Sequence, residues 1–165
     1  MKTVVLAYHE IGAAGLKAAI RNGLDVVAVL THKDNPDEGS WFASVAEEAA
    51  QNGIPVFAPE DPNHAIWRAK IADLQPELLL SFHYRAMVSK AFRDIFSAGC
   101  FNLHASLLPR YRGRAPINWV LVNGETETGV TLHEMADRAD AGAIIGQSQI
   151  VISEDETAKT LTEKA

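Results

Sequence analysis

The sequence FNLHASLLPRYRGRAP, residues 101–116, is the stretch around which the rest of the chain is organised. It begins as a short apolar strand on which Asn102 and His104, two residues apart, point to the same face. It continues as a loop with three arginines, stiffened by two prolines. Since α/β proteins bind ligands beyond the carboxyl ends of their strands, this stretch predicts a site for chemistry on an anionic ligand.

Apolar strands alternate with helices through the first hundred residues. Strands joined by helices at this spacing predict an α/β fold with a doubly wound, mostly parallel sheet, buried on both faces. The strands are predicted at 2–8, 24–32, 54–60, 77–85 and 99–105. The first helix is predicted to end at Gly23. A polar loop at 33–40 then leads to a second helix, from about Trp41 to its stop at Gly53. A third helix begins at 61–63, and a fourth covers 87–96.

After the arginine loop, the pattern predicts a helix from Pro116, stopped by Asn123-Gly124, and then two strands. The first strand is 128–136, and residues 137–153 make an acidic turn and the second strand, so the pair could form an antiparallel hairpin with a long loop. Ser153 and Glu156 resemble a capping box that opens a last helix. Because that helix has only begun at Ala165, we expect residues 1–165 to be a catalytic domain cut short at its C-terminal end.

The composition is that of a globular chain with one unusual loop. The formal net charge of −6 argues against a general nucleic-acid binder, and its contrast with the basic loop favours a small anionic ligand. The apolar runs are too short to span a bilayer, and no signal-peptide pattern follows Met1. The single Cys100 cannot pair within the chain. We therefore expect a cytoplasmic protein with no membrane insertion and no nucleic-acid partner, and we make no prediction of its oligomeric state.

Asn102 and His104 are the first candidates for chemistry. An imidazole can exchange a proton near neutral pH, and an amide can donate to an oxygen that becomes negative. Asp140, in the turn between the two late strands, could stabilise the imidazolium and fix the orientation of the ring. Asp137 is the alternative, and either residue also fits a solvated turn.

Other kinds of site have less support in the sequence. Ser106 lacks a G-x-S-x-G elbow, and no G-x-G-x-x-G follows the first strand. The remaining histidines lack metal-ligand spacing, so we predict no metal and interpret them as turn or surface residues. They are His9, His32, His64, His83 and His133.

The combination N-L-H-x-S-L-L-P-x-x-x-G, which begins at Asn102, followed by D-x-G at Asp140, resembles the 10-formyltetrahydrofolate-dependent formyltransferases. The resemblance covers essentially the whole chain. It implies a Rossmann-like catalytic domain, 10-formyltetrahydrofolate as cosubstrate and no metal. It also implies catalytic roles for Asn102, His104 and Asp140.

Within the family, the chain is most similar to the formyltransferase domain of bifunctional polymyxin-resistance enzymes. Those domains act on UDP-4-amino-4-deoxy-L-arabinose, a UDP-amino sugar of lipid A and lipopolysaccharide biosynthesis. The similarity lies in AYHEIG (7–12), THKDNP (31–36) and residues 111–135. Arg114 stands where methionyl-tRNA formyltransferases have a small residue. Three alternatives stay open: methionyl-tRNA, the glycinamide ribonucleotide of phosphoribosylglycinamide transformylases, or a non-catalytic folate- or nucleotide-binding domain.

The resemblance also implies binding residues for both substrates. The folate would be held by Ala86, Met87 and Val88, by Arg114, and by the loop of Ala136, Asp137, Arg138, Ala139 and Asp140. For the nucleotide sugar we predict a ring contact from Tyr111 and a diphosphate contact from Arg112.

Overall fold

The computed structural model describes residues 1–33 and 44–165. These residues form two compact units, Met1–Cys100 and Phe101–Ala165. Most of the predicted 33–40 loop and the predicted helix start at Trp41 lie outside the described residues.

The first unit is a parallel sheet with helical connections. Strand β1 pairs in parallel with β2 and β4, and β2 pairs in parallel with β3, so the strand order is β3-β2-β1-β4. The elements are β1 (Lys2–Ala7), α1 (His9–Arg21), β2 (Asp25–Leu30), α2 (Val45–Gln51), β3 (Val56–Phe57), α3 (Ala65–Ala72), β4 (Leu78–Phe82) and α4 (Lys90–Arg93). The predicted α/β class is confirmed.

Helix α1 packs closely on the sheet because its sequence leaves room for a neighbouring strand. Leu16 and Ala13 are buried on its inner face. A Cβ atom at Gly15 would lie 2.3 Å from the ring of Phe82 at the end of β4, so only glycine allows this approach. The helix ends at Arg21, and Gly23 follows with φ of +76°, as the glycine stop predicted.

The chain between β4 and α4 is irregular, which corrects two predictions. Strand β4 ends at Phe82 and not at residue 85, and the helix predicted over 87–96 is reduced to Lys90–Arg93. Ser89 caps α4 by accepting from the amide of Phe92, which fixes where the helix begins. The predicted folate segment 86–88 therefore lies in irregular backbone before the helix.

The second unit is an antiparallel arrangement. Strand β5 begins at Gly99, just before the unit, and pairs antiparallel with β6, which pairs antiparallel with β7. The predicted hairpin is thus confirmed. The elements are β5 (Gly99–His104), α5 (Pro116–Val122), β6 (Glu127–Glu134), β7 (Ile144–Val151) and α6 (Ala158–Lys164).

The predicted capping box at Ser153 and Glu156 is wrong by one turn. The Ser153 hydroxyl donates to the Glu156 carboxylate at 2.9 Å, so the pair closes a turn and does not cap a helix. The true box consists of Thr157, which accepts from the Thr160 amide, and Thr160, which accepts from the Thr157 amide. Within residues 1–33 and 44–165, no helix has the length and apolar character that crossing a membrane requires.

Candidate active site

The register of β5 and β6 sets Asn102 opposite His133. The Asn102 Nδ2 atom lies 3.2 Å from His133 Nε2, and His133 Nδ1 lies 2.7 Å from the carbonyl oxygen of Glu134. Since a carbonyl only accepts, Nδ1 carries a hydrogen, and Nε2 of the neutral ring accepts from the Asn102 amide. His133 is only 2% exposed, so its interpretation as a turn or surface residue was wrong.

His104 ends β5 and is also buried. Its Nε2 atom lies 2.8 Å from the carbonyl oxygen of Tyr111 and therefore carries a hydrogen. Its Nδ1 atom faces Asp140 Oδ1 at 3.6 Å. That distance is longer than a hydrogen bond, so Nδ1 is the nitrogen of this ring that is not already bonded within the chain.

Asp140 joins the two histidines. One carboxylate oxygen lies 3.6 Å from His104 and 3.4 Å from His133, and the other accepts from the Gly113 amide at 2.9 Å. The residue has a φ of +50°, in the left-handed region. Of the two predicted carboxylates, the structure brings Asp140 to His104, whereas Asp137 is exposed.

The charges of this cluster support one another. Burial disfavours protonated His133, but the bonds to Asp140 and to the Glu134 carbonyl, with the Asp140 charge, outweigh it and raise the pKa of His133. Burial alone would raise the pKa of Asp140. The bonds from His133 and the Gly113 amide, with the charge of His104, instead lower the pKa of Asp140. Asp140 is thus held ionised beside His133, and a protonated His133 would donate from Nε2 to Asp140 in place of accepting from Asn102.

The glycine of the D-x-G motif has a steric reason. A Cβ atom at Gly142 would lie 1.9 Å from the carbonyl oxygen of Glu134, far inside contact distance. Only glycine lets the returning chain pass so close to the end of β6 two residues after Asp140. The motif therefore couples the position of the carboxylate to a close approach of two backbones.

The turn after His104 is held by the buried hydroxyl of Thr131. Thr131 Oγ1 donates to the Ser106 carbonyl at 2.6 Å and accepts from the Leu108 amide at 3.1 Å. Gln147 Nε2 lies 2.9 Å from both the Leu108 carbonyl and Thr131 Oγ1. Thr131 and Ser106 are completely buried, so the turn after His104 has a rigid base.

The three arginines of the loop differ in their surroundings. Arg110 forms an ion pair with Glu125 at 2.6 Å. Arg112 and Arg114 are exposed, and neither forms an ion pair with any described residue. The loop therefore presents two guanidinium groups to solvent.

The residues of the first unit that are predicted to bind folate include an exposed methionine. Met87 is 56% exposed, whereas Val88 is buried. Asn63 holds the segment through two backbone contacts, since its Nδ2 donates to the Met87 carbonyl at 2.9 Å and its Oδ1 accepts from the Ser89 amide at 2.6 Å. In the second unit, residues 136–140 lie in the loop between β6 and β7.

Two other histidines of the first unit lie among aromatic rings. His9 stacks on Tyr8 at 3.8 Å between ring centroids, and His32 stacks on Tyr84 at 4.2 Å. Both histidines are half-buried, and His83 lies in an exposed turn as predicted. In the described ranges, 1–33 and 44–165, no group of His, Cys, Asp and Glu side chains could hold a metal.

An amide donor, two buried imidazoles and a half-buried carboxylate that both imidazoles face define a site suited to acyl-group transfer. The comparison with protein families agrees. A family model described as formyl transferase matches residues 1–165, so the chain belongs to the formyl transferase family. The chain is therefore a formyltransferase, as its sequence predicted.

Solved structures of this fold cover 99% of the chain. They include a phosphoribosylglycinamide formyltransferase from Bacillus halodurans, with 24% identity, a TM-score of 0.80 and 87% of that protein covered. The Coxiella burnetii enzyme of the same name has 27% identity, a TM-score of 0.76 and 79% covered. An N-formyltransferase from Helicobacter canadensis, in complex with folinic acid and dTDP-3-aminofucose, has 27% identity, a TM-score of 0.77 and 58% covered. The fold prediction is confirmed.

Proposed function

We propose that this chain transfers a formyl group from 10-formyltetrahydrofolate to the 4-amino group of UDP-4-amino-4-deoxy-L-arabinose, in the lipid A modification that gives polymyxin resistance. The observation that carries the proposal is the contact of Asp140 with His104 and His133, at 3.6 and 3.4 Å, beside the amide of Asn102. Membership of the formyl transferase family supports the same reaction class.

Asn102, His104 and Asp140 would divide the chemical work. The folate supplies an electrophilic formyl carbon, which the amine of the acceptor attacks. Asn102 donates from Nδ2 to the formyl oxygen as it becomes negative. His104 exchanges a proton through Nδ1, because its Nε2 is bound to the Tyr111 carbonyl. Asp140 stabilises the imidazolium while it carries that proton from the amine towards the departing nitrogen.

The residues predicted to hold the folate have chemistry that fits it. Met87 offers an exposed apolar edge with backbone groups beside it, as a flat heteroaromatic ring requires. Arg114 is exposed and has no ion-pair partner among the described residues, so its guanidinium can pair with a carboxylate of the ligand. The loop of residues 136–140 would complete the contacts, with Asp140 as its last member.

The choice of a nucleotide sugar rests on Arg112 and on a relative. Arg112 is exposed and without an ion pair in the described part of the chain, which suits a diphosphate contact. The Helicobacter canadensis relative, whose structure contains dTDP-3-aminofucose, supports a nucleotide-linked amino sugar as the acceptor class. The hydroxyl of Tyr111 donates to Glu125 at 2.6 Å, so a contact of Tyr111 with the sugar would use its ring.

Glycinamide ribonucleotide is the second candidate acceptor, because the Coxiella burnetii phosphoribosylglycinamide formyltransferase has the same 27% identity as the Helicobacter canadensis N-formyltransferase. An acceptor screen with 10-formyltetrahydrofolate separates the possibilities. It would compare the UDP-4-amino sugar, dTDP-3-aminofucose, glycinamide ribonucleotide and charged methionyl-tRNA, with release of tetrahydrofolate as the readout. We expect turnover with the UDP sugar. Turnover only with another acceptor would overturn the substrate assignment, and tight folate binding without turnover on any acceptor would favour a binding domain.

A further inference from the structure

The carbonyl that binds His104 belongs to a residue in an unusual conformation. Tyr111 has a φ of +55°, in the left-handed region that bulky residues rarely adopt. This conformation presents its carbonyl oxygen to His104 Nε2 at 2.8 Å. A left-handed tyrosine persists only where its surroundings hold it, so the groups that hold Tyr111 also determine the hydrogen-bonding partner of His104.

One of those groups is a carboxylate that bonds the side-chain hydroxyl of Tyr111. The Tyr111 hydroxyl donates to Glu125 Oε1 at 2.6 Å and accepts from Asn123 Nδ2 at 3.0 Å. The other oxygen of Glu125 pairs with Arg110 at 2.6 Å. Glu125 is itself fixed, because its backbone amide donates to the Val120 carbonyl at the end of α5. A single carboxylate thus holds two consecutive side chains of the loop.

We infer that Glu125 is a positioning residue for His104: by holding Tyr111 and Arg110, it keeps the Tyr111 carbonyl on His104 Nε2 and leaves Nδ1 directed at Asp140. The inference rests on the proposed formyl transfer for its consequence in rate, although the geometry stands without it. Glu125 binds neither substrate in this scheme. It affects the reaction only by determining which ring nitrogen of His104 carries the hydrogen.

The state of Glu125 fits this role. The bonds from Arg110 and Tyr111 lower the pKa of Glu125. The carboxylate therefore stays ionised across the neutral range and can accept from both partners. A glutamine at this position keeps one acceptor oxygen and loses the charge that pairs with Arg110.

The experiment uses Tyr111→Phe, Glu125→Gln and Glu125→Ala, with Glu127→Ala as the matched control. Glu127 is a nearby carboxylate whose side chain accepts from Gln149 and is not bonded to Tyr111. We expect the three test variants to lower kcat about two- to tenfold with KM nearly unchanged, as loss of one or two hydrogen bonds would give. Tyr111→Phe combined with Glu125→Ala should cost less than the product of the two single effects, because both act through one path.

A readout that does not depend on activity is the ring-nitrogen NMR spectrum of His104. In the wild type and in Glu127→Ala, the neutral ring should carry its hydrogen on Nε2. The test variants should show a mixture of the two tautomers. An unchanged tautomer and an unchanged kcat in Tyr111→Phe and Glu125→Gln would overturn the inference, even if Glu125→Ala failed to fold. If the wild type transferred no formyl group to any acceptor, the spectrum would still decide the inference while the proposed function failed.

Discussion

The candidate site of the second unit and the predicted folate segment of the first unit are held in different ways. In the second unit, His133 Nε2 lies 3.2 Å from the Asn102 amide and 3.4 Å from the Asp140 carboxylate, so the three side chains of the site contact one another directly. In the first unit, Met87 and its neighbours are irregular backbone that Asn63 holds from a different part of the sequence.

The difference has a physical reason. Groups that move protons need placement to a fraction of an ångström, and a mutually bonded, buried cluster provides it because no member can rotate alone. A segment that contacts a flat ligand needs an exposed apolar edge and a backbone of fixed shape. One side chain such as Asn63, with a donor and an acceptor, can supply that shape without occupying the ligand's surface.

The largest effect should come from the mutually bonded cluster. We expect Asn102→Ala and His104→Ala to lower kcat about a hundred- to a thousandfold, because each removes a group that would stabilise charge in the transition state. Thermal melting should show that both variants fold. Asn22→Ala is the control, since the Asn22 side chain donates to the carbonyl of Ala18 at the end of α1. Wild-type turnover in both test variants would rule out the proposed chemistry.

The next largest effect tests whether the position of Asp140 depends on the close backbone approach at Gly142. Gly142→Ala would force a Cβ atom against the Glu134 carbonyl and displace the loop that holds Asp140. We expect a loss of about 1–3 kcal/mol in the free energy of unfolding and a fall in kcat. Gly146→Ala, in β7, is the matched control, because a Cβ there would meet nothing within 4 Å. Equal stability of the two variants, measured by denaturant unfolding, would contradict this explanation of D-x-G.

Much of this fold follows from patterns that are local in sequence. The apolar strands, the stop at Gly23 and the hairpin of β6 and β7 each depend on short-range periodicity or on a single turn residue. The errors occurred where a competing contact decided the outcome. Ser153 was predicted to cap the last helix, but its hydroxyl bonds the Glu156 carboxylate and leaves the cap to Thr157.

The sequence motif indicated three residues of the candidate site, but it did not indicate the contacts that hold them. Asn102, His104 and Asp140 lie in a recognisable pattern, whereas their spatial contact depends on the return of the chain after β6. His133 was missed because its partner is set by the register of β6 against β5. One sequence signal was available: alternation along β6 puts His133 on the same face as the buried Thr131.

A smaller effect should come from the predicted folate segment of the first unit, residues 86–88. Asn63→Ala removes the bonds to the Met87 carbonyl and to the Ser89 amide. We expect KM for 10-formyltetrahydrofolate to rise about tenfold, as loss of one or two hydrogen bonds would give, with kcat and the acceptor KM little changed. Asn52→Ala, which removes a comparable side-chain bond to the Glu48 carbonyl at the end of α2, should leave all three constants unchanged. A fall in kcat without a change in folate KM would show that Asn63 does not act through this segment.

The smallest effect is a pH dependence of the free energy of unfolding that comes from Asp140 and His133. The raised pKa of His133 adds stability that is fully present below its ordinary value of 6.5 and is lost as pH rises through the raised value. The lowered pKa of Asp140 adds stability that is present above its ordinary value of 3.8 and is lost as pH falls through the lowered value. Asp140→Asn should therefore be most destabilising, relative to the wild type, between these two ordinary values, and less so towards either extreme. Asp155→Asn, an exposed substitution with the same change in charge, should show no such maximum in denaturant unfolding measured across pH. A difference between wild type and Asp140→Asn that stays constant with pH would mean that the contact with Gly113, and not the charge shared with His133, accounts for the contribution of Asp140 to stability.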